Sequence, residues 1–471
     1  MGSPIVPPPV VPPPRYQMRR RSLAGPLVLI IIGVIFLLGN MHLIAWPNLG
    51  HLFARYWPLL LILWGGIRLA EYYSDRSRGY ATRTVGGAGV LFLIFIVMIG
   101  LSASTADRMN WQGIRSDIDV DDDFFGGMFG QNFSFTSTQT QDLPESVKNG
   151  TLRVLSDRGD VTVNAWDENR IKVDVAKKIR AQNQDNANNY DKQTTPTISI
   201  DGNVVTVNAN TSAAGNASVS SDLEIWVPKA MAADVSTHRG DPNVKSRTGN
   251  VKVSSSRGDI TVEDVTGNVE IDQRKGDIHV SKVTGDVAVS ARAGDTTISD
   301  VTGTLKLDGE YFGGITLSKI GKTVTFRTSR TDMELAKLDG DLTMDGGDLR
   351  ANKMAGPMKI LTRSKDIHLD DLDGDLRIEN SNSTIEVHSN KLGAIQIDNR
   401  KGDVQLIVPE KTSFQADLKT RGGDISSDFS GLNVRSEHND STASGNVGSG
   451  GPKVQVTNEH GNIEIRKAGQ S

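Results

Sequence analysis

Residues 249–290 read GNVKVSSSRGDITVEDVTGNVEIDQRKGDIHVSKVTGDVAVS, and the repeat within them predicts the architecture. Its glycines recur every nine residues, and the same spacing continues to position 303. Most of them open the unit Gly-(Asp/Asn)-(Val/Ile)-x-(Val/Ile), and two such units make a period of eighteen residues. A fixed period of this kind indicates a repeat architecture.

Three columns of apolar residues follow this period for about nine turns, with slips of one or two residues. The first column contains Val253, Ile271, Val289, Leu307, Phe326, Met344, Ile360, Ile378 and Ile397. The second contains Val262, Val280, Ile298, Leu317, Leu335, Leu369, Val387 and Leu406. The third, which marks a corner, contains Val265, Val283, Val301, Ile320, Leu338, Met354, Leu372 and Leu392.

The pattern predicts an all-β parallel β-solenoid of about 18 residues per turn. Alternate apolar residues point inward along a strand, and Gly-Asp or Gly-Asn supplies a turn between strands. One such strand cannot bury its apolar residues alone, whereas turns stacked about 4.8 Å apart bury a continuous column. Nine turns would form a rod on the order of 40 Å long.

We expect the extracytoplasmic β-solenoid to span residues 149–468, with less regular caps at 149–230 and 408–468. Within the first cap, Asp201-Gly202 predicts a hairpin between two short alternating strands. Within the second, residues 439–451 are rich in Gly, Ser and Asn and are expected to form a loop before a last pair of strands.

The apolar residues of the first quarter predict a membrane module. Three stretches, Leu23–Ile44, Leu52–Ala70 and Val85–Leu101, are each long enough for a transmembrane helix, since a span needs about 20 residues. We therefore expect a three-helix transmembrane module at 23–106, a cytoplasmic Pro/Arg-rich tail at 1–22 and a linker at 107–148. An acidic-aromatic patch lies within the linker, at 119–133.

Positively charged residues predict the orientation. Arginines precede the first span and lie between the second and third, whereas the loop after the first span holds only Arg55. Because Lys and Arg stay on the cytoplasmic side, we expect an N-terminus in the cytoplasm and a solenoid outside the cytoplasmic membrane. A cleaved signal peptide is the alternative, but no small-residue cleavage site follows Leu38.

The composition argues against several classes of function. A net charge of −4 argues against a basic surface that binds nucleic acid. The absence of cysteine excludes disulfides, thiolate metal ligands and cysteine nucleophiles. The eight histidines lack metal-ligand spacing, and no nucleophile or phosphate-binding motif occurs. We therefore expect no catalytic residue, no cofactor-binding residue, no metal site and no enzymatic activity.

Outward positions form two further columns, and neither concentrates the carboxylates that a glycan-cleaving enzyme needs. The first contains Lys252, Glu270, Ala288, Lys306, Thr325, Thr343, Lys359, Arg377 and Gln396. The second contains Thr261, His279, Thr297, Thr316, Glu334, Arg350, His368, Glu386 and Gln405.

The Gly-Asp turns allow two other interpretations. A calcium ladder would use Gly-Gly-x-Gly-x-Asp, but here a single Gly precedes each Asp, which favours a turn role. Arg-Gly-Asp occurs at 158–160, 239–241 and 257–259, but Lys-Gly-Asp and Ala-Gly-Asp fill the same turn elsewhere, so adhesion through this tripeptide is not favoured.

The solenoid resembles the bacterial "putative adhesin" domain family, over about residues 149–467. The matching residues are 159–163 (GDVTV), 223–228 (LEIWVP), 402–404 (GDV), 423–425 (GDI) and 461–463 (GNI). The N-terminal module is similar to the transmembrane region of Lia-type proteins of the cell-wall antibiotic response, through 33–40 (GVIFLLGN) and 57–65 (WPLLLILWG). The resemblance implies a bacterial envelope protein that modulates a stress-sensing kinase, and it carries over no catalytic residues.

These observations predict a membrane-anchored, non-catalytic envelope protein that presents a β-solenoid binding surface. The expected partners are the lipid bilayer, an envelope protein or glycan, and a membrane sensor kinase. The alternative is a self-associating structural scaffold of the envelope, and a glycan-active enzyme is a distant third.

Overall fold

The computed structural model describes residues 131–215 and 218–469, which lie in one compact unit, Phe129–Ser471. These residues form 29 β-strands in one sheet, one α-helix and two short 3₁₀ helices. The predicted tail (1–22) and membrane module (23–106) lie outside the described residues. Within 131–215 and 218–469, no helix has both the length and the apolar character to cross a bilayer.

A first stack of parallel strands follows the eighteen-residue repeat. Strand partners are eighteen residues apart, as in Val251 with Val269 and Ile260 with Ile278. The offset becomes nineteen in the pairs Thr296 with Ile315 and Leu305 with Val324. The predicted mostly-β chain with a long parallel sheet is therefore confirmed. The strands are β8 (Ala232–Thr237), β9 (Pro242–Arg247), β10 (Val251–Ser255), β11 (Ile260–Thr266), β12 (Val269–Gln273), β13 (Ile278–Thr284), β14 (Val287–Ala293), β15 (Thr296–Val301), β16 (Leu305–Tyr311), β17 (Ile315–Ile320) and β18 (Val324–Arg327).

The apolar columns form one continuous core. Val253, Ile271 and Val289 are register partners on successive turns and are at most 1% exposed. Each such side chain contributes roughly 1.5–3 kcal/mol when it is fully buried. Because every turn repeats the same column, the stack supplies the core that a single strand lacks.

A kink in β11, β13, β15 and β17 makes the corner of each turn. Asp264, Lys282, Asp300 and Lys319 have φ between +51° and +58°, in the left-handed region. This single left-handed residue breaks the in-out alternation, so that both Val262 and Val265 face the core although they are three residues apart. Short polar side chains tolerate this conformation best, and here Lys shares the position with Asp.

Between the two parallel stacks the chain reverses direction at strand β19 (Thr331–Met344), the reversed coil. On one side it pairs antiparallel with β18 and then β17, and on the other it pairs antiparallel with β20 (Asp348–Thr362). Two hairpins with two-residue loops produce the reversal. At the second hairpin, Asp345 Oδ1 accepts the backbone N–H groups of Gly347 and Asp348, both at 2.8 Å.

The reversal corrects four positions of the predicted columns. Glu334, not Thr343, is the register partner of Thr325 and of Lys359, while Thr343 pairs with Thr316 and Arg350. The inward residues exchange in the same way, because Met333 replaces Met344 beside Phe326, and Leu342 replaces Leu335 beside Leu317. The physical reason is that an antiparallel coil meets its neighbours in the opposite order along the chain.

A second parallel stack follows the reversed coil. Strands β20 and β21 (Asp366–Asn380) pair in parallel with an eighteen-residue offset, and β21 pairs with β22 (Ile385–Lys401). The two halves of β22 then pair with different strands, namely β23 (Val404–Val408) and β28 (Lys453–His460).

The C-terminal cap is more strand-rich than expected. Residues 439–451 were expected to form a loop, but most of them form β27 (Asp440–Val447), which pairs antiparallel with β24 (Phe414–Arg421) and β26 (Leu432–Glu437). Backbone pairing explains the difference, since three alternating strands satisfy one another here despite the Gly and Ser content. The remaining strands are β25 (Ile425–Ser427) and β29 (Ile463–Lys467).

The N-terminal cap confirms the predicted hairpin at Asp201-Gly202 and differs from the predicted linker. β1 (Gln131–Asp142) falls within the linker but pairs with all twelve residues of β4 (Arg170–Ala181). Phe133 and Phe135 of β1 pack against a small second core, which explains the strand. The other elements are β2 (Thr151–Ser156), β3 (Val161–Trp166), α1 (Gln184–Gln193), β5 (Thr197–Asp201), β6 (Val204–Asn208), β7 (Ser218–Pro228) and 3₁₀ helices at Glu145–Val147 and Thr211–Ala214.

Candidate binding grooves

The Gly-Asp turns of the first stack form a ladder of carboxylates. Asp160, Asp241, Asp259 and Asp277 each accept, through Oδ1, the backbone N–H of the aspartate on the next turn at 2.8 Å. Burial raises the pKa of Asp241, and the neighbouring carboxylates of Asp160 and Asp259 raise it further, against the lowering effect of the Asp259 N–H. The aspartates of all three Arg-Gly-Asp tripeptides therefore have backbone partners in the turn, as the turn interpretation requires.

Groove A is a depression of about 550 Å³ on one outward face, where the reversed coil meets the second stack. It crosses β19, β20, β21, β22 and β28, whose register places Glu334, Lys359, Arg377, Gln396 and Gln455 in one row. Its lining side chains are Thr323, Glu334, Ala336, Pro357, Lys359, Asp375, Arg377, Ala394, Gln396, Lys453 and Gln455.

The depth of groove A comes from side-chain length. Beside the row of long side chains runs a second outward row, in which Ala336, Pro357 and Ala394 are short. The buried residues Met358 and Ile395 lie between the rows and form the floor. The sheet face is therefore concave where short residues lie on β19, β20 and β22, while β21 contributes Asp375 to the same row.

The charges in groove A are unevenly paired. Arg377 binds Glu379 on its own strand, at 3.1 Å from Nε and 2.5 Å from Nη2 to Oε1. The Asp375 carboxylate accepts the backbone N–H of Ala394 at 2.8 Å. Within the described part of the chain, Lys359, Lys453 and Glu334 have no ion pair.

Groove B is a smaller depression of about 250 Å³ on the other outward face. Here the imidazole Nδ1 of His368 lies 3.1 Å from Glu386 Oε2, and the Ser318 hydroxyl donates to Asp341 Oδ1 at 2.6 Å. Its lining side chains are Asp341, Thr343, Arg350, Ala351, Asn352, His368, Asp370 and Glu386. Groove B is thus rich in carboxylates that already have partners.

Both grooves flank the reversed coil, and the sequence columns locate them only in part. Lys359, Arg377 and Gln396 were expected on one face and do line groove A, but Glu334 joins them there instead of lying on the opposite face. Lys453 and Gln455 were missed, because they come from β28, 59 residues beyond their register partners on β22. The Gly346-Gly347 pair between two alternating strands was the signal that could have revealed the hairpin and the reversal.

Comparisons with known proteins cover most of the chain. The family model described as Toastrack DUF4097 matches residues 116–284 and 151–466, and the LiaF transmembrane domain matches residues 24–111. The chain is therefore a membrane protein. No curated protein matches it.

Two solved structures are similar to this chain over 71% of its length. One is titled a "putative cell adhesion protein" from Clostridium sporogenes, with 9% identity, 100% of that chain covered and a TM-score of 0.17. The other is titled a "putative adhesin" from Bacteroides fragilis, with 10% identity, 97% of that chain covered and a TM-score of 0.18.

Proposed function

Because this chain belongs to the Toastrack DUF4097 family, we propose that it is a membrane-anchored, non-catalytic envelope protein whose β-sheet binds a component of the cell envelope outside the cytoplasmic membrane. The match to a LiaF transmembrane domain supports the anchor and a role in modulating envelope-stress sensing.

The observation that carries the proposal is groove A. It is a concave site on a sheet face where outward residues elsewhere can pair with one another, as Lys252 does with Glu270 at 2.7 Å. Concave sites with a few unpaired polar groups are where proteins bind ligands. The groove lies on paired strands of a continuous stack, so its side chains are held on a rigid platform.

The carboxylate arrangement supports a role without catalysis. General acid-base cleavage of a glycan needs two carboxyl groups aimed at the same bond. In groove A, Asp375 is committed to a backbone N–H, and Glu334 stands alone at the far end of the row. In groove B, Asp341 and Glu386 are held by Ser318 and His368.

In-cell photo-crosslinking tests the binding function. A photoreactive amino acid placed at Gln396 in groove A should capture an envelope component, whereas one at Lys252, on the same face but outside the groove, should not. Capture of a membrane kinase would support the regulatory role. Equal capture from both positions, or none from Gln396, would count against groove A as a binding site.

Cysteine labelling tests the orientation, since the native chain has no cysteine. We propose three spans with a cytoplasmic N-terminus, which places Ser77 inside and the exposed Thr302 outside. In intact or outer-permeabilised cells, an impermeant maleimide should label Thr302→Cys and spare Ser77→Cys. The reverse pattern would overturn the orientation.

One observation favours the scaffold as a second candidate. Among the strands that the structure describes, β26 pairs on one side only, with β27, and its Val434 is 45% exposed. An open strand with an exposed apolar residue invites pairing with another copy. Sedimentation of the full chain in detergent should then show concentration-dependent association that Val434→Lys abolishes, while a monomer at high concentration would exclude the scaffold.

A further inference from the structure

We propose that groove A binds an anionic glycan, a sugar polymer that carries carboxylate or phosphate groups. This inference rests on the proposed function and names the ligand class of the same site. It is carried by the unpaired cations, by the shape of the floor and by the absence of a free strand edge in the groove.

Groove A holds two cations without an ion-pair partner. Elsewhere on this face some cations do have carboxylate partners, as in Arg153 with Asp234 at 3.2 Å and Lys306 with Asp308 at 2.8 Å. Within groove A, among the residues that the structure describes, Lys359 and Lys453 have no such partner. Two unneutralised ammonium groups on a chain of net charge −4 mark a local site for anions.

The spacing of these cations suits an extended polymer. Lys359 lies on β20 and Lys453 on β28, three strand intervals apart, which is about 14 Å at the usual strand spacing. Between them the lining consists of Pro357, Asp375 and Ala394, and the Asp375 carboxylate already accepts the Ala394 backbone N–H. The Gln455 amide has no side-chain hydrogen bond among the described residues, so it can donate hydrogen bonds to sugar hydroxyl groups and accept hydrogen bonds from them.

An acidic peptide fits this site less well than a glycan does. Peptides that add to a sheet need an open edge, but β20, β21 and β22 pair on both sides across the groove. Apolar anchors are also missing, since the large exposed apolar residues of the described part, Leu155, Phe312 and Val434, lie elsewhere. Recognition must therefore come from polar side chains on the face.

Glu334 sets one boundary of the site. It is the register partner of Lys359 on the reversed coil, and its carboxylate repels an anionic ligand. We therefore place the ligand across β20 to β28, away from β19.

The test measures polymer binding to the full chain in phosphatidylcholine nanodiscs at low salt. The probes are polygalacturonate for carboxylate, poly(glycerol phosphate) for phosphate, dextran as a neutral glycan and polyglutamate as an acidic peptide. We expect one or both anionic probes with hydroxyl-bearing backbones to bind, and dextran and polyglutamate to bind at least tenfold more weakly. Lys359→Gln and Lys453→Gln should each weaken binding about 2- to 5-fold, as the loss of one partly exposed ion pair does.

Matched variants separate the site from general charge attraction. Lys306→Gln removes the same charge from the same face outside the groove and should leave affinity within about 2-fold, while Glu334→Gln should strengthen binding about 2-fold. Polyglutamate binding as tight as the glycans, or equal losses in Lys306→Gln and Lys359→Gln, would overturn the proposal. If no probe binds while the Gln396 crosslink still captures an envelope component, the ligand class is wrong and the binding function stands.

Discussion

The substitution Gly258→Ala should open one turn of the first stack. Gly258 has φ +135°, and a Cβ added there would lie 2.1 Å from the carbonyl oxygen of Gly240 on the preceding turn. The backbone conformation alone costs about 1–3 kcal/mol for a residue with a side chain. Relief of the overlap requires about 1 Å of separation, which disrupts turn hydrogen bonds worth about 0.5–1.5 kcal/mol each. One of these is the 2.8 Å bond from the Asp259 N–H to Asp241.

The expected total is about 3–5 kcal/mol of local stability, which corresponds to roughly 150- to 4,000-fold faster amide exchange. Hydrogen exchange with mass spectrometry on the full chain should show this acceleration in peptides that contain β11. Gly202→Ala is the matched control, because Gly202 also has a positive φ, +60°, but no atom lies within 4 Å of its added Cβ. That control should cost about 1–2 kcal/mol, confined to the β5–β6 hairpin. Equal effects of the two variants would refute the steric argument.

Three further predictions concern polar groups that hold the fold together. Arg247 is fully buried and donates to the carbonyl oxygens of Pro228 and Val227. Arg247→Ala should therefore cost about 3–5 kcal/mol of local stability, and Arg247→Met, which keeps most of the side-chain volume, clearly less. Hydrogen exchange of β9 measures both costs, and equal costs would contradict the packing role of the side-chain stem. The backbone N–H groups at the β19–β20 hairpin lower the pKa of Asp345. The stabilisation from this carboxylate is therefore present above the unfolded pKa near 3.8 and is lost as pH falls through the lower folded pKa. Asp345→Asn should remove this acid sensitivity from the hydrogen exchange of the hairpin, and an unchanged pH profile would contradict the role of Asp345. Lys177 is 4% exposed, and its ammonium group lies 2.6 Å from the carboxylate of Asp191 on α1. Lys177→Ala should therefore weaken the attachment of α1 to the sheet by about 2–4 kcal/mol, seen as faster hydrogen exchange of the helix amides. Unchanged exchange of these amides would show that the ion pair does not hold the helix.

The local environment of Arg247 shows why such sites escape a periodic pattern. Arg247 occupies the corner position that Val265 and Val283 fill on later turns. Burial lowers its pKa to about 10, but the guanidinium still donates to backbone carbonyls at the boundary between the cap and the repeats. A charged residue in an apolar column is recognisable from the sequence as an exception, yet only the packing shows which carbonyls it serves.

The reversed coil shows the limit of sequence periodicity most clearly. An apolar-x-apolar motif has the same spacing in both directions, so Met333-x-Leu335 and Leu342-x-Met344 continue the pattern although β19 runs backwards. The period therefore predicted buried residues of β19, namely Leu335, Leu338 and Met344, but not which neighbours they meet. That is why Glu334 and Thr343 were assigned to each other's faces.

Most strands of the two stacks, the glycine turns and most of the buried columns could be predicted, because they depend on local chemistry repeated at a fixed spacing, and the apolar runs of the N-terminal region are likewise a local property. Groove A could not be predicted, because it depends on the reversed coil and on β28 docking beside β22. Lys359 and Lys453 are almost a hundred residues apart in sequence, and only strand pairing brings them onto one surface. Pairing partners are chosen by the free energy of the whole sheet, which no local spacing encodes.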